Sequence, residues 1–186
     1  MRIDAERLWN QIADLIKRNV RRYSLSVKAI CVVSMLGWVA VRKDGSPIED
    51  GWTWKYAGQK NKLDLTSEKP IRTLEIEAGR RLMPEMGAYR IMELESRVPM
   101  SGHTGRRFVS LKDFIKFKLC GRFTTDPTNA AYRGVFSIRT QTWSPLLLEA
   151  FNVDGEVLPP IEQSGAVTDV TTTESTREIG IERPVP

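Results

Sequence analysis

The chain has 186 residues, of which 41% are hydrophobic and 27% charged, and a net charge of +5. That length suits one domain of ordinary size, and the balance is that of a globular protein. No apolar run reaches the roughly 20 residues that span a bilayer, and Met1 to Glu6 lacks a signal-peptide core, so a cytoplasmic protein is expected.

Residues 4–23 predict a helix, with Leu8, Ile12, Leu15, Ile16 and Val20 on one face and Trp9 beside them. Asp4 and Glu6 at its start and Lys17, Arg18, Arg21 and Arg22 at its end complement the helix dipole. A basic helix end also suits nucleic acid, but no interleaved aromatic platform or binding motif accompanies it. Val27 to Val33, VKAICVV, is β-rich and apolar on both faces except at Lys28, which predicts an interior parallel strand covered on both sides. Gly37 to Val41 is a second extended run, and Lys43-Asp44-Gly45-Ser46 is a turn signal. Helix, buried strand and strand-turn unit together argue an α/β architecture.

Residues 57–108 read as a possible irregular insertion. Lys60 to Lys62 and Ser67 to Pro70 suit loops, and Leu74 to Leu82 suits a helix. Pro84, Gly87, Pro99, Gly102 and Gly105 interrupt the remainder of the stretch. His103, between two glycines and without a carboxylate or Cys partner, reads as a loop residue. Cys31 and Cys120 stand in apolar contexts with no metal-ligand neighbours and read as buried free thiols.

The second half is more legible. Ser110 predicts an N-cap with Asp113 as its capping-box partner, and Leu111, Phe114, Ile115 and Leu119 form an apolar face that Gly121 ends. Thr124, Thr125, Asp126, Thr128 and Asn129 crowd hydrogen-bonding groups into one turn. Val135 to Ile138 is a strand candidate, and Trp143 precedes an apolar run at Leu146, Leu147, Leu148 and Phe151. Thr171 to Thr173 offer N-caps to a short helix through Glu178, stopped by Gly180 with Ile181 as its hydrophobic contact.

This order resembles the late first domain of the FGGY family of carbohydrate kinases. There a Lys-Asp helix leads to "LTG", a "TD-x-S/T-x-A" loop, a strand, "W", a leucine-rich helix and "LP". Here the pieces stand as Lys112-Asp113, Leu119-Cys120-Gly121, Thr125 to Ala130, Trp143, Leu146 to Leu148 and Leu158-Pro159. Glycerol kinases and autoinducer kinases of the family look similar in the Thr-Asn-Ala loop. Val27 to Gly37 resembles the family's "I.AIGIS.QMHG" stretch, and Val39, Asp44, Gly45, Pro47 and Trp54 resemble its "V.LD..G.PL.P.I.W" continuation. Ser164 to Val167 resembles its "sG..iG" connection, and Tyr89 to Leu94 a remnant of its apolar helix.

The resemblance implies a partial ribonuclease-H-like α/β domain, of the actin and hexokinase type, lacking the N-terminal phosphate-binding hairpin strands. It implies a parent that moves the γ-phosphoryl of ATP, with Mg2+, to a hydroxyl of a small sugar or polyol. The family's "D-x-G-T" hairpin would lie before Met1 and its catalytic Asp, in "PV..G..D", after Pro186, so the chain is expected to be inactive alone and to bind ATP and Mg2+ poorly. Substrate-binding candidates carried over from the family are Met35, Trp54, Asp126 and Asn129. For Met35 and Trp54 the alternative is packing; for Asp126 and Asn129 it is a turn held by backbone hydrogen bonds. Leu36 stands where the family has His, and Tyr56 and Gly58 where it has Asp and Arg. Those substitutions favour the rival reading, a non-catalytic interaction protein that keeps part of the kinase fold and pairs with itself or another chain. An uncovered apolar face at Val27 to Val33 would promote such association.

Overall fold

The computed structural model describes residues 1–55, 70–84, 86–97, 105–167 and 169–186. Its first long element, α1 (Ala5–Tyr23), forms where the sequence predicts it. The Asp4 carboxylate accepts from the Arg7 N–H, Glu6 sits in the first turn, and Arg21 and Arg22 sit in the last. The buried stripe is Ala5, Trp9 and Ala13, flanked by half-buried Leu8, Ile12, Ile16 and Val20. Leu15, expected on that face, is 54% exposed; two residues beyond Ala13 it lies about 200° around the helix.

Strands β1 (Arg2–Ile3), β2 (Gly37–Val41), β3 (Gly51–Thr53) and β4 (Arg107–Ser110) form a sheet in the order β1-β3-β2-β4, antiparallel at every pairing. The central strand is β2, with Trp38 opposite Trp52 on one side and Ser110 on the other. Its side chains alternate between two cores. Val39 and Val41 join Val109 against α1, α4 (Leu111–Cys120) and α7 (Thr173–Ile179). Trp38 and Ala40 join Phe108 against α2 (Ile71–Ala78), α3 (Gly87–Glu95) and α6 (Pro145–Ala150). Helices on both faces of the sheet explain why GWVAV carries no polar residue. The Asp-Gly turn after β2 forms as expected: Gly45 takes φ +86°, its N–H donates to the Arg42 carbonyl, and the Ser46 N–H donates to Asp44 Oδ1.

The interior parallel strand expected at Val27 to Val33 is not formed. The segment belongs to no strand, and its backbone is tied by the Ile30 N–H to the Pro186 carbonyl at 2.8 Å. The physical reason is pairing. Both edges of β2 are taken by β3 and β4, and among the described residues no further strand lies beside 27–33 to complete a ladder. Val27, Ile30 and Val32 still pack against the α1–α4–α7 core, while Val33 is 86% exposed. Cys31 is exposed and Cys120 half-buried, so the expectation of two buried thiols fails at Cys31.

The stretch read as an irregular insertion, 57–108, carries α2, α3 and the start of β4, and Leu74, Ala78, Ile91, Leu94 and Phe108 from it are buried in the core. Tyr56, Gly58, the loop expected at Lys60 to Lys62, most of that at Ser67 to Pro70, and His103 lie outside the described residues. The second half obeys its local signals. Ser110 and Asp113 close a capping box on α4, and Gly121 ends it at φ +74°. Then come α5 (Pro127–Ala131), the hairpin of β5 (Phe136–Ser137) with β6 (Thr142–Trp143), α6, and a 3-10 turn at Gly155–Val157. Thr172 caps α7; Gly180 ends it, and the Ile181 N–H bonds to the Thr176 carbonyl at 3.1 Å. Among the described residues no helix is long and apolar enough to cross a membrane.

Candidate functional site

Helix α4 presents two stripes, and each lines a different cavity. Leu111, Ile115 and Leu119 face a cavity of about 540 Å³ shared with Leu8, Ile12 and Ile16 of α1. Its rim carries Ser34, Met35, Thr53, Trp54 and Lys55. Lys112 and Lys116, one helical turn apart, face a second cavity of about 390 Å³ with Asp126, Glu162, Gln163, Asp169 and Thr171. The segment Ile30 to Val32, together with Leu119, lines both cavities.

The four expected site residues therefore divide. Met35 and Trp54 share the apolar cavity and are 69% and 48% exposed, well short of core packing. The Lys55 ammonium lies 5.4 Å from the centre of the Trp54 ring. Asp126 lines the polar cavity, whereas Asn129 lines neither. Asp126 also caps α5: its Oδ1 accepts from the Asn129 N–H at 3.1 Å and its Oδ2 from Asn129 Nδ2 at 3.3 Å. The local turn role expected of this pair is thus present.

The polar cavity is organised by charge. Lys112 Nζ stands 2.7 Å from Asp113 Oδ1 and 2.9 Å from Asp126 Oδ2. Lys116 Nζ stands 3.1 Å from both Glu162 and Asp169, and Arg122 reaches the same two carboxylates at 3.1 and 2.6 Å. Burial would raise all three cavity carboxyls. For Asp126 the Lys112 bond and the Asn129 N–H outweigh it, and for Glu162 and Asp169 the Lys116 bond does so with Arg122. All three are held below the ordinary carboxylate range. Lys112 is likewise pushed down by burial, but Asp113 and Asp126 overcome this and hold it above its usual value. Behind the site, the fully buried Arg133 donates to Asp113 Oδ2 at 2.9 Å and to the Phe108 carbonyl, tying α4 to the turn after α5.

The sequence singled out Asp126 and Asn129 as site candidates but assigned no site role to Lys112, Lys116, Glu162 or Asp169. Lys112 and Lys116 carried a signal, an i, i+4 pair on the face of α4 opposite Phe114. Glu162 and Asp169 carried none, since their placement depends on how the chain returns past α4.

An ATP–Mg2+ site would need ligands free to coordinate. Among the described residues no group of three or more His, Cys, Asp or Glu side chains is placed to hold a metal ion, and the cavity carboxylates are engaged by Lys and Arg.

The sheet with helices on both faces is shared with solved kinases. A xylulose kinase from Rhodospirillum rubrum superposes with a TM-score of 0.88 at 16% identity, over 99% of this chain and 39% of that one. In sequence, the xylulose kinase of Staphylococcus xylosus is 25% identical over 140 residues, 73% of this chain and 29% of the relative. The autoinducer-2 kinase of Escherichia coli is 20% identical across the whole chain and 36% of the relative. The chain thus spans about a third of the length of these curated relatives. The family described as "FGGY family of carbohydrate kinases, N-terminal domain" matches residues 1–186. The loop from Thr125 to Ala130, the α4 cap and the sheet fall inside that match, and the chain belongs to the FGGY family of ATP-dependent carbohydrate kinases.

Proposed function

We propose that these 186 residues contribute part of the N-terminal, ribonuclease-H-like domain of a kinase that transfers the γ-phosphoryl of ATP to a hydroxyl of a small sugar or polyol in the cytoplasm. The observation that carries this reading is the family match over the entire chain. The relatives named for xylulose and autoinducer-2 support a small polyhydroxylated substrate. Met35 and Trp54 are proposed to border that substrate on the apolar side and Asp126 on the polar side, with Asn129 acting through the two hydrogen bonds by which it holds Asp126. The exposed ring of Trp54 suits the carbon face of a polyol.

The chain by itself is proposed to be catalytically silent. A general base works best with a pKa near the operating pH. Asp126, Glu162 and Asp169 are held low by ion pairs, so none of them is tuned to accept a proton from an attacking hydroxyl. The test is ATP turnover by the purified 186-residue protein with xylulose, glycerol and other polyols, contaminating kinases excluded. No turnover above background is expected; saturable, sugar-dependent turnover overturns the silent reading.

A second reading has an observation in its favour. The apolar cavity is edged by an irregular segment, Ile30 to Leu36, that belongs to no strand, with Val33 and Met35 largely exposed. A protein partner or a second copy that covers this face would make the chain an interaction protein with a kinase-derived fold. A defined dimer or stoichiometric complex by solution mass supports it; a stable monomer that binds polyol counts against it.

A further inference from the structure

We propose that Lys112 and Asp126 form a subsite for a vicinal diol, two adjacent hydroxyls of one ligand, in the cavity beside α4. The inference rests on reading this chain as part of a polyol or sugar kinase and adds a residue, Lys112, and a specificity to it.

Both side chains line the 390 Å³ cavity, a volume within the range of small-molecule sites. An ammonium has three protons. Lys112 directs its Nζ at Asp113 and Asp126, which leaves one proton for a third acceptor. Asp126 Oδ2, 2.9 Å from that nitrogen, already takes Lys112 and the Asn129 amide, while Oδ1 takes the Asn129 N–H and the Ser164 hydroxyl, the latter at a long 3.5 Å. A ligand hydroxyl that displaces Ser164 gains a charge-assisted bond in place of a weak one. A hydroxyl both donates and accepts, so a donor and an acceptor held this close match two neighbouring hydroxyls: one accepts from Lys112, the other donates to Asp126.

Ile30, Val32 and Leu119 also line the cavity and offer apolar surface for the carbon backbone. Buttressing is provided from behind. Asp113 is fully buried and held by Arg133, so Lys112 is fixed between two carboxylates and loses little freedom when a ligand binds. Lys116 serves differently, being drawn onto Glu162, Asp169 and Thr124.

The experiment is an NMR titration of the 186-residue protein with glycerol, xylitol and 1,3-propanediol, the last lacking the middle hydroxyl. Wild type is expected to saturate with glycerol and xylitol and to bind 1,3-propanediol about 10-fold more weakly, the loss of a charge-assisted bond. Lys112→Met should erase that discrimination, whereas a purely structural role would weaken all three ligands alike. Lys112→Arg keeps the charge for both carboxylates but replaces the compact ammonium by a planar fork, and should lower xylitol affinity about threefold or more even if Lys112→Met fails to fold. Unchanged discrimination in Lys112→Met, or unchanged affinity in Lys112→Arg, overturns the subsite. If Trp54→Ala abolishes binding while both Lys112 variants bind normally, the subsite fails and the polyol reading survives. If wild type binds none of the polyols, both fall.

Discussion

Removing the buried cation at Arg133 tests how this half of the domain is held together. Arg133 and Asp113 are both fully buried, and their side chains meet at 2.9 Å. The guanidinium also donates to the Phe108 carbonyl of β4 and lies 5.2 and 5.7 Å from the rings of Trp38 and Trp143. Burial pushes the Arg133 pKa down and Asp113 resists that push, but a guanidinium stays charged in a protein. Arg133→Met keeps the length and apolar volume while stranding the Asp113 carboxylate. Breaking one side of a buried pair costs about 3–5 kcal/mol. Lys112 remains beside Asp113 Oδ1 and the Ser110 N–H beside Oδ2, which places the expected loss near ~3 kcal/mol. For a domain of this size that is a fall in Tm of roughly 6–12 °C. Urea unfolding monitored by tryptophan fluorescence reads it directly. Asp113→Asn in the same background should recover part of the loss, because the stranded charge is gone. A loss under about 1 kcal/mol in Arg133→Met, or no recovery in the double variant, would refute the claim that this pair clamps α4 to β4 and α5.

Other perturbations probe separate features. Ser110→Ala removes the hydroxyl that accepts from the Asp113 N–H at 3.1 Å and should cost about 1 kcal/mol by urea midpoint, with helicity lost at α4. Gly45→Ala meets both an unfavourable φ of +86° and the Phe117 ring, whereas Gly165→Ala meets an unfavourable φ of +74° with no atom within 4 Å of the added Cβ. Both should destabilise, and Gly45→Ala should be the worse by more than ~1 kcal/mol, the cost of the added clash. Acid should loosen the contacts of Glu162 and Asp169 with α4. The Glu162 and Asp169 carboxyls are depressed below their ordinary 4.5 and 3.8, so their stabilisation is present above those values and is lost as pH falls through the lower folded values. Urea midpoints measured from pH 6 to 3 should drop more steeply in wild type than in Lys116→Met. Val33→Lys should change stability by less than about 0.5 kcal/mol, since the side chain is 86% exposed; a loss of several kcal/mol would mean that 27–33 is a covered strand after all.

Local chemistry makes much of this chain legible from its residues alone. The Ser110–Asp113 box, the stop at Gly121, the Asp44-Gly45 turn and the Thr172 to Ile181 cap-and-stop pair all form, because each is a hydrogen-bond arrangement among residues a few positions apart. The family is legible for a related reason: its motifs are short and fall in a fixed order. Asp126 is visible for its loop.

Tertiary structure decided the rest. Two apolar runs, VKAICVV and GWVAV, compete for the centre of the sheet, and composition alone favours the first. GWVAV takes that place because β3 and β4 can pair on both of its edges, whereas 27–33 has no strand beside it among the described residues. The partners of Lys116, Arg122 and Arg133 are also set by topology. Glu162 and Asp169 arrive from 40 to 53 residues away, and Asp113 from 20 residues away. Periodicity and capping act over one or two turns, so they place side chains on faces; only the folded chain brings those faces together.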